Sequence, residues 1–271
     1  MIGLIDPFVY LETEPHMNEK NSGRLYSSPQ KFLLRDYCKY TDAEYSAIFE
    51  KIIIPAAEKY GIKTENILCE DLGEKTAPVH RVMEKLGLTG LSVTQFGYSG
   101  YDAPKENVIM LGAHDNQSYI QYTDELFGRA SSLGEGRDRF IYKTHILGSD
   151  TVTPNEDVNL YRENIRKDKR NFLSASFAEL FTSPAKKVQI FFTDFFGIGK
   201  TYNIPGTKKD CWTLRLNSNY EDLYYENLKK GLAVNLPEAI ARAIRQKGID
   251  FSSEHNDLLR KLDYFTHIFK N

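Results

Sequence analysis

The chain has 271 residues, with 35 Lys and Arg against 37 Asp and Glu and a net charge of -2. That balance supplies no basic field for nucleic acid or for an anionic membrane. The 41% hydrophobic content is that of a globular protein with a core. Cys38, Cys69 and Cys211 are widely spaced and form no CxxC, which excludes a disulfide framework and a zinc motif and fits a reducing cytoplasm.

Met1 to Ile5 reads as an apolar strand without the basic region or cleavage site of a signal peptide. A chain that opens in mid-core is expected to be N-terminally truncated. Residues 14–29, rich in Asn, Ser and Gly, read as a long surface loop. Thr41 and Glu44 have capping-box spacing, and Phe49, Ile52, Ile53 and Ala56 continue a helix that Pro55 should kink or divide. Gly61 suits its C-terminal cap. The short apolar run Ile67-Leu68-Cys69 ends at Glu70-Asp71-Leu72-Gly73. A second helix carries Val79, Val82, Met83 and Leu86 on one face, with Gly87 after it.

Leu91 to Phe96 and Val108 to Leu111 read as strands, the latter ending at Gly112-Ala113-His114-Asp115-Asn116. Residues 129–170 read as an irregular, charged excursion. Phe172 to Phe181 is expected to be helical, and Val188 to Phe192 a strand entering Thr193-Asp194. Asn235 and Pro237 start another helix, and Leu258, Leu259, Leu262, Phe265 and Phe269 mark the last. Five short strands alternating with helices predict an α/β fold. A complete (β/α)8 TIM barrel needs eight strands, so the expectation is a partial barrel. No stretch approaches the ~18 apolar residues of a membrane span.

Polar residues that follow parallel strands gather at one mouth of such a fold. Glu70, His114, Asp115, Asn116 and Asp194 all stand at predicted strand ends. A Glu with an Asp is what glycosidic bond cleavage requires: one carboxyl kept protonated for the leaving oxygen, another to attack or steady a positive sugar. Strand-end carboxylates serve equally as caps, ion pairs or metal ligands, and His114, Asp115 and Glu70 form the metal alternative. The 17 Tyr and 16 Phe read as core packing or, alternatively, as stacking surface for sugar rings.

Three ordered motifs narrow these readings. Cys69-Glu70-Asp71-Leu72-Gly73, then Pro78-Val79, then Gly87 to Phe96 resembles the acid/base region of the amylomaltase, or 4-alpha-glucanotransferase, family. Leu111 to Asn116 resembles the family's G-T-H-D-N. Phe195-Phe196-Gly197-Ile198-Gly199, Asn203-Ile204-Pro205-Gly206-Thr207 and Trp212-Thr213-Leu214-Arg215 resemble its L-G-L-G, N-x-P-G-T and W-x-W-R. The resemblance covers roughly residues 69–215. It implies a retaining double-displacement transfer of α-1,4-glucan segments between maltooligosaccharides, without metal or organic cofactor. It further implies that Glu70 is the general acid/base and Asp115 the stabiliser of an oxocarbenium-like transition state. His114 would bond sugar on the donor side, Phe96 would form glucan-binding surface, and Asn203, Pro205 and Gly206 would line the donor side.

The sequence departs from the family pattern at Ala113 for Thr, Gln117 for an acidic residue, Thr201 for Arg, and Cys211 for the Asn before Trp212. The family's nucleophilic Asp lies in an R-x-D-H motif, and no R-x-D-H occurs in this chain. Asp6 in Ile5-Asp6-Pro7-Phe8 is a degenerate candidate. The favoured expectation is that the motif precedes Met1 and that residues 1–271 are the C-terminal part of the barrel. The missing N-terminal half of the barrel is then a required partner. The competing expectation is a catalytically inactive glucan-binding fragment.

Overall fold

A computed structural model describes residues 2–3, 42–44, 46–70, 77–96, 100–128 and 170–270. Asp6, the loop at 14–29, Thr41, the 71–73 turn and the excursion at 129–169 lie outside the described residues. The chain divides into two compact units, Met1–Leu91 with Glu106–Val108 and Ser92–Lys105 with Ile109–Asn271. No helix among the described residues is long and apolar enough to cross a membrane.

The first unit contains β1 (Ile2–Gly3), α1 (Ile54–Lys59), β2 (Cys69–Glu70) and α2 (Ala77–Leu86). β1 and β2 are parallel, with Ile2 opposite Cys69 and Gly3 opposite Glu70. On the other side of the same run, Leu68 bridges Thr89 in parallel, and the Cys69 N–H donates to Thr89 O at 2.7 Å. Pro55 divides its helix as expected. It lacks an N–H and crowds the preceding turn, so the chain widens into a π-helical turn over Phe49–Ile53 before α1 begins. The Ile54 N–H accordingly reaches back five residues to Phe49 O. Phe49, Ile67, Cys69, Val79, Met83 and Leu88 form this unit's core, so the apolar face expected for α2 is the buried one. Arg81 grips Asp42 with two bonds, Nε to Oδ2 at 2.6 Å and Nη2 to Oδ1 at 2.9 Å.

In β3 (Leu91–Val93) and β4 (Val108–Met110) the chain passes between the units. With β5 (Lys187–Val188) they form a three-stranded sheet in the order β3-β4-β5. Lys186 N–H donates to Lys105 O and Gln189 N–H to Ile109 O, so residue numbers rise together on both strands, the parallel sense. All five expected strands are present, each short.

Among the described residues, the second unit's helices are α3 (Tyr119–Gly128), α4 (Arg170–Thr182), α5 (Phe192–Phe196), α6 (Tyr220–Lys229), α7 (Leu236–Gln246), α8 (Ile249–Glu254) and α9 (Asn256–Lys270). Every residue of α4 from Phe172 to Leu180 is buried, so α4 is a central helix rather than an amphipathic surface one. Its Phe172, Leu173, Phe177 and Leu180 pack with Ile109, Leu111, Tyr119, Leu126 and Val234. α7 lies against α4 and opens as the sequence predicts: Asn235 Oδ1 accepts the Glu238 N–H at 3.2 Å, and Pro237 occupies the first turn. Arg242 is buried on α7 and bonds Glu238 one turn earlier at 2.7 Å.

Two strand expectations need correction. The strand expected over 91–96 stops at Val93, and Thr94–Phe96 turn into a 3-10 helix. The strand expected over 188–192 stops at Val188, and Phe192 to Phe196 turn into α5. Phe191 is extended, and its carbonyl then receives the Asp194 and Phe195 N–H groups, which closes a helical turn and swings Asp194 inward. The apolar stripe of α9 is only partly used. Leu259 is buried and Leu262 packs beside it, whereas Leu258 and Phe265 stay exposed because α9 meets α7 and α6 along one line.

Gly197 ends α5 with φ 68°, and its N–H returns to Asp194 O. A Cβ there would stand 2.7 Å from Ala233 N and from the Leu232 carbonyl carbon, both backbone atoms. Gly197→Ala is therefore expected to lower unfolding free energy by about 3 kcal/mol, from left-handed strain plus displaced backbone. Urea denaturation of variant and parent measures it, and an unchanged midpoint would refute this account of the α5 terminus.

Candidate active site

β4 delivers the chain into a turn built by the sequence's own side chains. The Asn116 N–H donates to Ala113 O at 3.1 Å, and Asn116 Oδ1 accepts the Ala113 N–H at 2.7 Å. Asn side chains close such turns because their carbonyl mimics a backbone acceptor. Gly112 precedes the turn where Gln95 crowds it: a Cβ would lie 2.5 Å from Gln95 Oε1. The turn is followed by a capping box at the start of α3. Ser118 Oγ accepts the Gln121 N–H at 3.5 Å, and Gln121 Oε1 accepts the Ser118 N–H at 3.2 Å.

The turn presents His114 and Asp115 to a second chain segment, 201–215. Asn203 Nδ2 donates to Asp115 Oδ1 at 2.6 Å, and the Asn203 N–H donates to His114 O at 3.0 Å. His114 Nε2 lies 2.9 Å from the same Asp115 oxygen. The Asp115 side chain keeps 35% of its surface exposed, and His114 18%. Asp115 Oδ1 thus accepts one hydrogen bond, from Asn203, and faces the His114 ring, while the group remains open to a ligand. Beside Asp115, a concavity of about 280 Å³ is lined by Gln95, Asn116, Gln117, Tyr122, Glu125 and Leu126.

Aromatic rings hold the second segment. Trp212 packs on His114 with ring centroids 4.8 Å apart, and its other neighbour is Tyr202, edge-on at 5.2 Å. Tyr202 stands edge-on to Phe191 and Phe192. Sequence reasoning missed Tyr202 and gave Trp212 no task beyond its motif. The single tryptophan of the chain, three residues before Arg215, was the available signal.

The remaining predicted residues fall in several places. Glu70 is half-buried at the end of β2, in the first unit. Of the three candidate metal ligands, His114 and Asp115 are neighbours in the second unit and Glu70 belongs to the first. Phe96 closes the 3-10 turn Thr94–Phe96 after β3. Pro205 and Gly206 are exposed on the turn after Asn203. The departures from the family pattern each find a local role. Thr201 Oγ1 donates to Gln121 Oε1 at 3.2 Å, and Gln117 Nε2 to Glu125 Oε2 at 3.0 Å. Cys211 Sγ lies 3.1 Å from Thr207 Oγ1, inside its own loop.

Asp194 does not stand at an open strand end. It is 3% exposed, and its Oδ1 accepts the Tyr119 N–H at 2.6 Å, closing the first turn of α3. Burial pushes its carboxyl up to about 7, against the opposing pull of that N–H. Burial likewise holds the Tyr119 phenol well above its ordinary value, and its hydroxyl donates to Ser176 Oγ at 2.8 Å.

With this geometry, the 4-alpha-glucanotransferase family model matches residues 24–220, and the chain belongs to that family. The matched stretch contains Glu70, Phe96, His114, Asp115, the Asn203–Gly206 turn and Trp212. No curated protein matches the chain. Among solved structures it is similar to an amylomaltase from Corynebacterium glutamicum, at 18% identity and TM-score 0.46, over 81% of this chain and 31% of that one. It is also similar to an amylomaltase from Streptococcus agalactiae in complex with acarbose, at 16% identity and TM-score 0.39, over 65% of this chain and 33% of the other. The chain therefore spans about a third of the length of these structures.

The buried Asp194 carries a pH signature. Its folded pKa of about 7 exceeds the ordinary 3.8, so folding favours the protonated form. The contribution is most favourable below pH 3.8 and declines as pH rises through about 7. Asp194→Asn cannot ionise, and its amide oxygen can still accept the Tyr119 N–H. Relative to the parent, the variant should gain roughly 2–4 kcal/mol of stability between about pH 4 and pH 8. Denaturation midpoints at both ends of that range measure the gain, and a pH-independent difference would contradict the burial account.

Proposed function

We propose that this chain is the C-terminal part of a retaining 4-alpha-glucanotransferase acting on α-1,4-glucans and maltooligosaccharides. The observation that carries the reading is the hydrogen bond from Asn203 to the Asp115 carboxylate, which joins separate motifs of the family-matched stretch. On this reading the strands and helices belong to a (β/α)8 barrel, with 129–170 as an excursion and residues 1–271 as one part of that domain.

Glu70 serves as general acid to the leaving glucan oxygen and then as base to the 4-hydroxyl of the incoming sugar, as microscopic reversibility requires. Asp115 steadies the oxocarbenium-like sugar. Fixing its Oδ1 in advance supports this role, because a charge already oriented need not reorganise during the reaction. His114, whose Nε2 lies 2.9 Å from Asp115 Oδ1, hydrogen-bonds donor sugar. Asn203, Pro205 and Gly206 line the donor side, and Phe96 contributes glucan-binding surface. No metal or organic cofactor enters this mechanism. The free thiols of Cys69 and Cys211 support a cytoplasmic setting.

The sequence contains no R-x-D-H, which favours a second reading in which this chain alone binds glucan without catalysing transfer. A retaining mechanism needs a carboxylate nucleophile ~5–5.5 Å from the acid. In the first reading the N-terminal half of the barrel supplies it. Incubating the purified chain with maltotriose should accordingly yield neither glucose nor longer oligosaccharides. Disproportionation that disappears on Asp6→Asn would make Asp6 the nucleophile and overturn this assignment. In an active enzyme carrying this segment, Glu70→Gln should lower transfer at least ~10²-fold while maltooligosaccharide binding persists. Retention of more than a few per cent of activity would remove Glu70 from the acid/base role.

A further inference from the structure

We propose that Trp212 is a sugar-stacking platform of this site: the apolar face of one glucose ring of a bound glucan lies on its exposed indole surface, beside Asp115. The proposal rests on the glucan reading given above and adds to it a binding residue.

Position is the first support. The indole touches His114, and His114 touches Asp115, so a ring seated on Trp212 would lie one side chain from the carboxylate. Backbone conformation is the second. Among the described residues, Asp210 and Trp212 are the non-glycine residues with positive φ, 58° and 62°. Such values are disfavoured for a bulky side chain and persist only where the surroundings enforce them. The enforcement is visible: the Trp212 N–H donates to Tyr202 O at 3.1 Å, and Arg215 Nη1 donates to Trp212 O at 2.7 Å. Tyr202 supports the ring edge-on at 5.2 Å and rests in turn on Phe191 and Phe192.

Exposure is the third support. A side chain held for packing would be driven under the surface, yet Trp212 remains 51% exposed. The fold accepts a disfavoured backbone at a half-exposed ring that stands beside a carboxylate open to a ligand, an arrangement suited to an apolar ligand face. Pyranose rings offer such a face, because their axial C–H bonds form an apolar patch ringed by hydroxyls. The negative face of an aromatic ring attracts those C–H groups. The neighbouring Asn203, Asp115 and Arg215 suit the hydroxyl rim, so one ring would meet an apolar base and a polar border together.

Trp212 is the only tryptophan in the chain, so selectively excited indole emission reports this position alone. Titrating the purified chain with maltoheptaose should give a saturable emission change whose midpoint agrees with isothermal calorimetry. By calorimetry, Trp212→Ala should weaken binding by roughly fivefold to tenfold, while Trp212→Phe should retain most of the affinity. Thermal unfolding of each variant identifies one that fails to fold, in which case the parent's emission and the Phe variant still decide. Calorimetric binding without an emission change, or with full affinity in a folded Trp212→Ala, would overturn the platform and leave the glucan reading standing. Absence of binding by both methods would sink the glucan reading of this chain, and the platform with it.

Discussion

The second unit depends on a hydrogen bond between a buried carboxyl and a helix start. Asp194, at the turn of α5, accepts the Tyr119 N–H that opens α3. Just before Tyr119 lies the Ala113–Asn116 turn with His114 and Asp115, and a few residues after Asp194 the chain reaches Asn203. One contact therefore sets the distance between the two arms that meet at Asp115. Burial of the carboxyl is the cost of that arrangement, and its raised pKa records it. A second clasp runs beside the first, where Gln121 Oε1 accepts from Ser118 on one arm and Thr201 on the other.

Aromatic packing does for the arm at 201–215 what hydrogen bonding does for the arm at 113–118. That arm has no strand or helix until α6 begins at Tyr220, so backbone ladders cannot fix it. Its position comes from Phe191 and Phe192 against Tyr202, and from Tyr202 against Trp212. Edge-to-face rings constrain orientation as well as distance. The departures from the family pattern are absorbed inside this frame. Cys211 turns inward, within 3.7 Å of Ile204 O, and Thr201 joins the Gln121 clasp, so neither displaces the bond from Asn203 to Asp115.

The first unit shows a simpler economy. Its apolar run at 67–69 is flanked by parallel partners on both sides, Ile2–Gly3 and the Leu68–Thr89 bridge. Glu70 follows that run without a break, so backbone pairing fixes where its side chain begins. Ion pairs from α2, Arg81 to Asp42 and Lys85 to Glu50, then tie the helix to the preceding helical segment at the surface.

Local chemistry was legible in the sequence. Pro55 dividing a helix, Asn235 capping α7, Gly61 ending α1 and the apolar face of α2 depend on neighbours within a few residues, and each was readable from spacing. Candidates for the site were legible too, since motif order singled out His114, Asp115 and Asn203 although Asp115 and Asn203 lie 88 positions apart in the chain. Sequence pattern could not assign burial to the polar residues. Asp194 looked like a strand-end carboxylate and became a buried helix anchor, because whether a carboxyl meets water or a helix start depends on where a distant segment folds. Trp212 had the same ambiguity in reverse: an apolar side chain expected to seek the core is held outward by a left-handed backbone and by Tyr202. The sequence by itself determined the elements and the residues that could serve a site. Only tertiary structure decided which of them share a hydrogen bond, because those bonds join segments whose separation along the chain carries no information about distance.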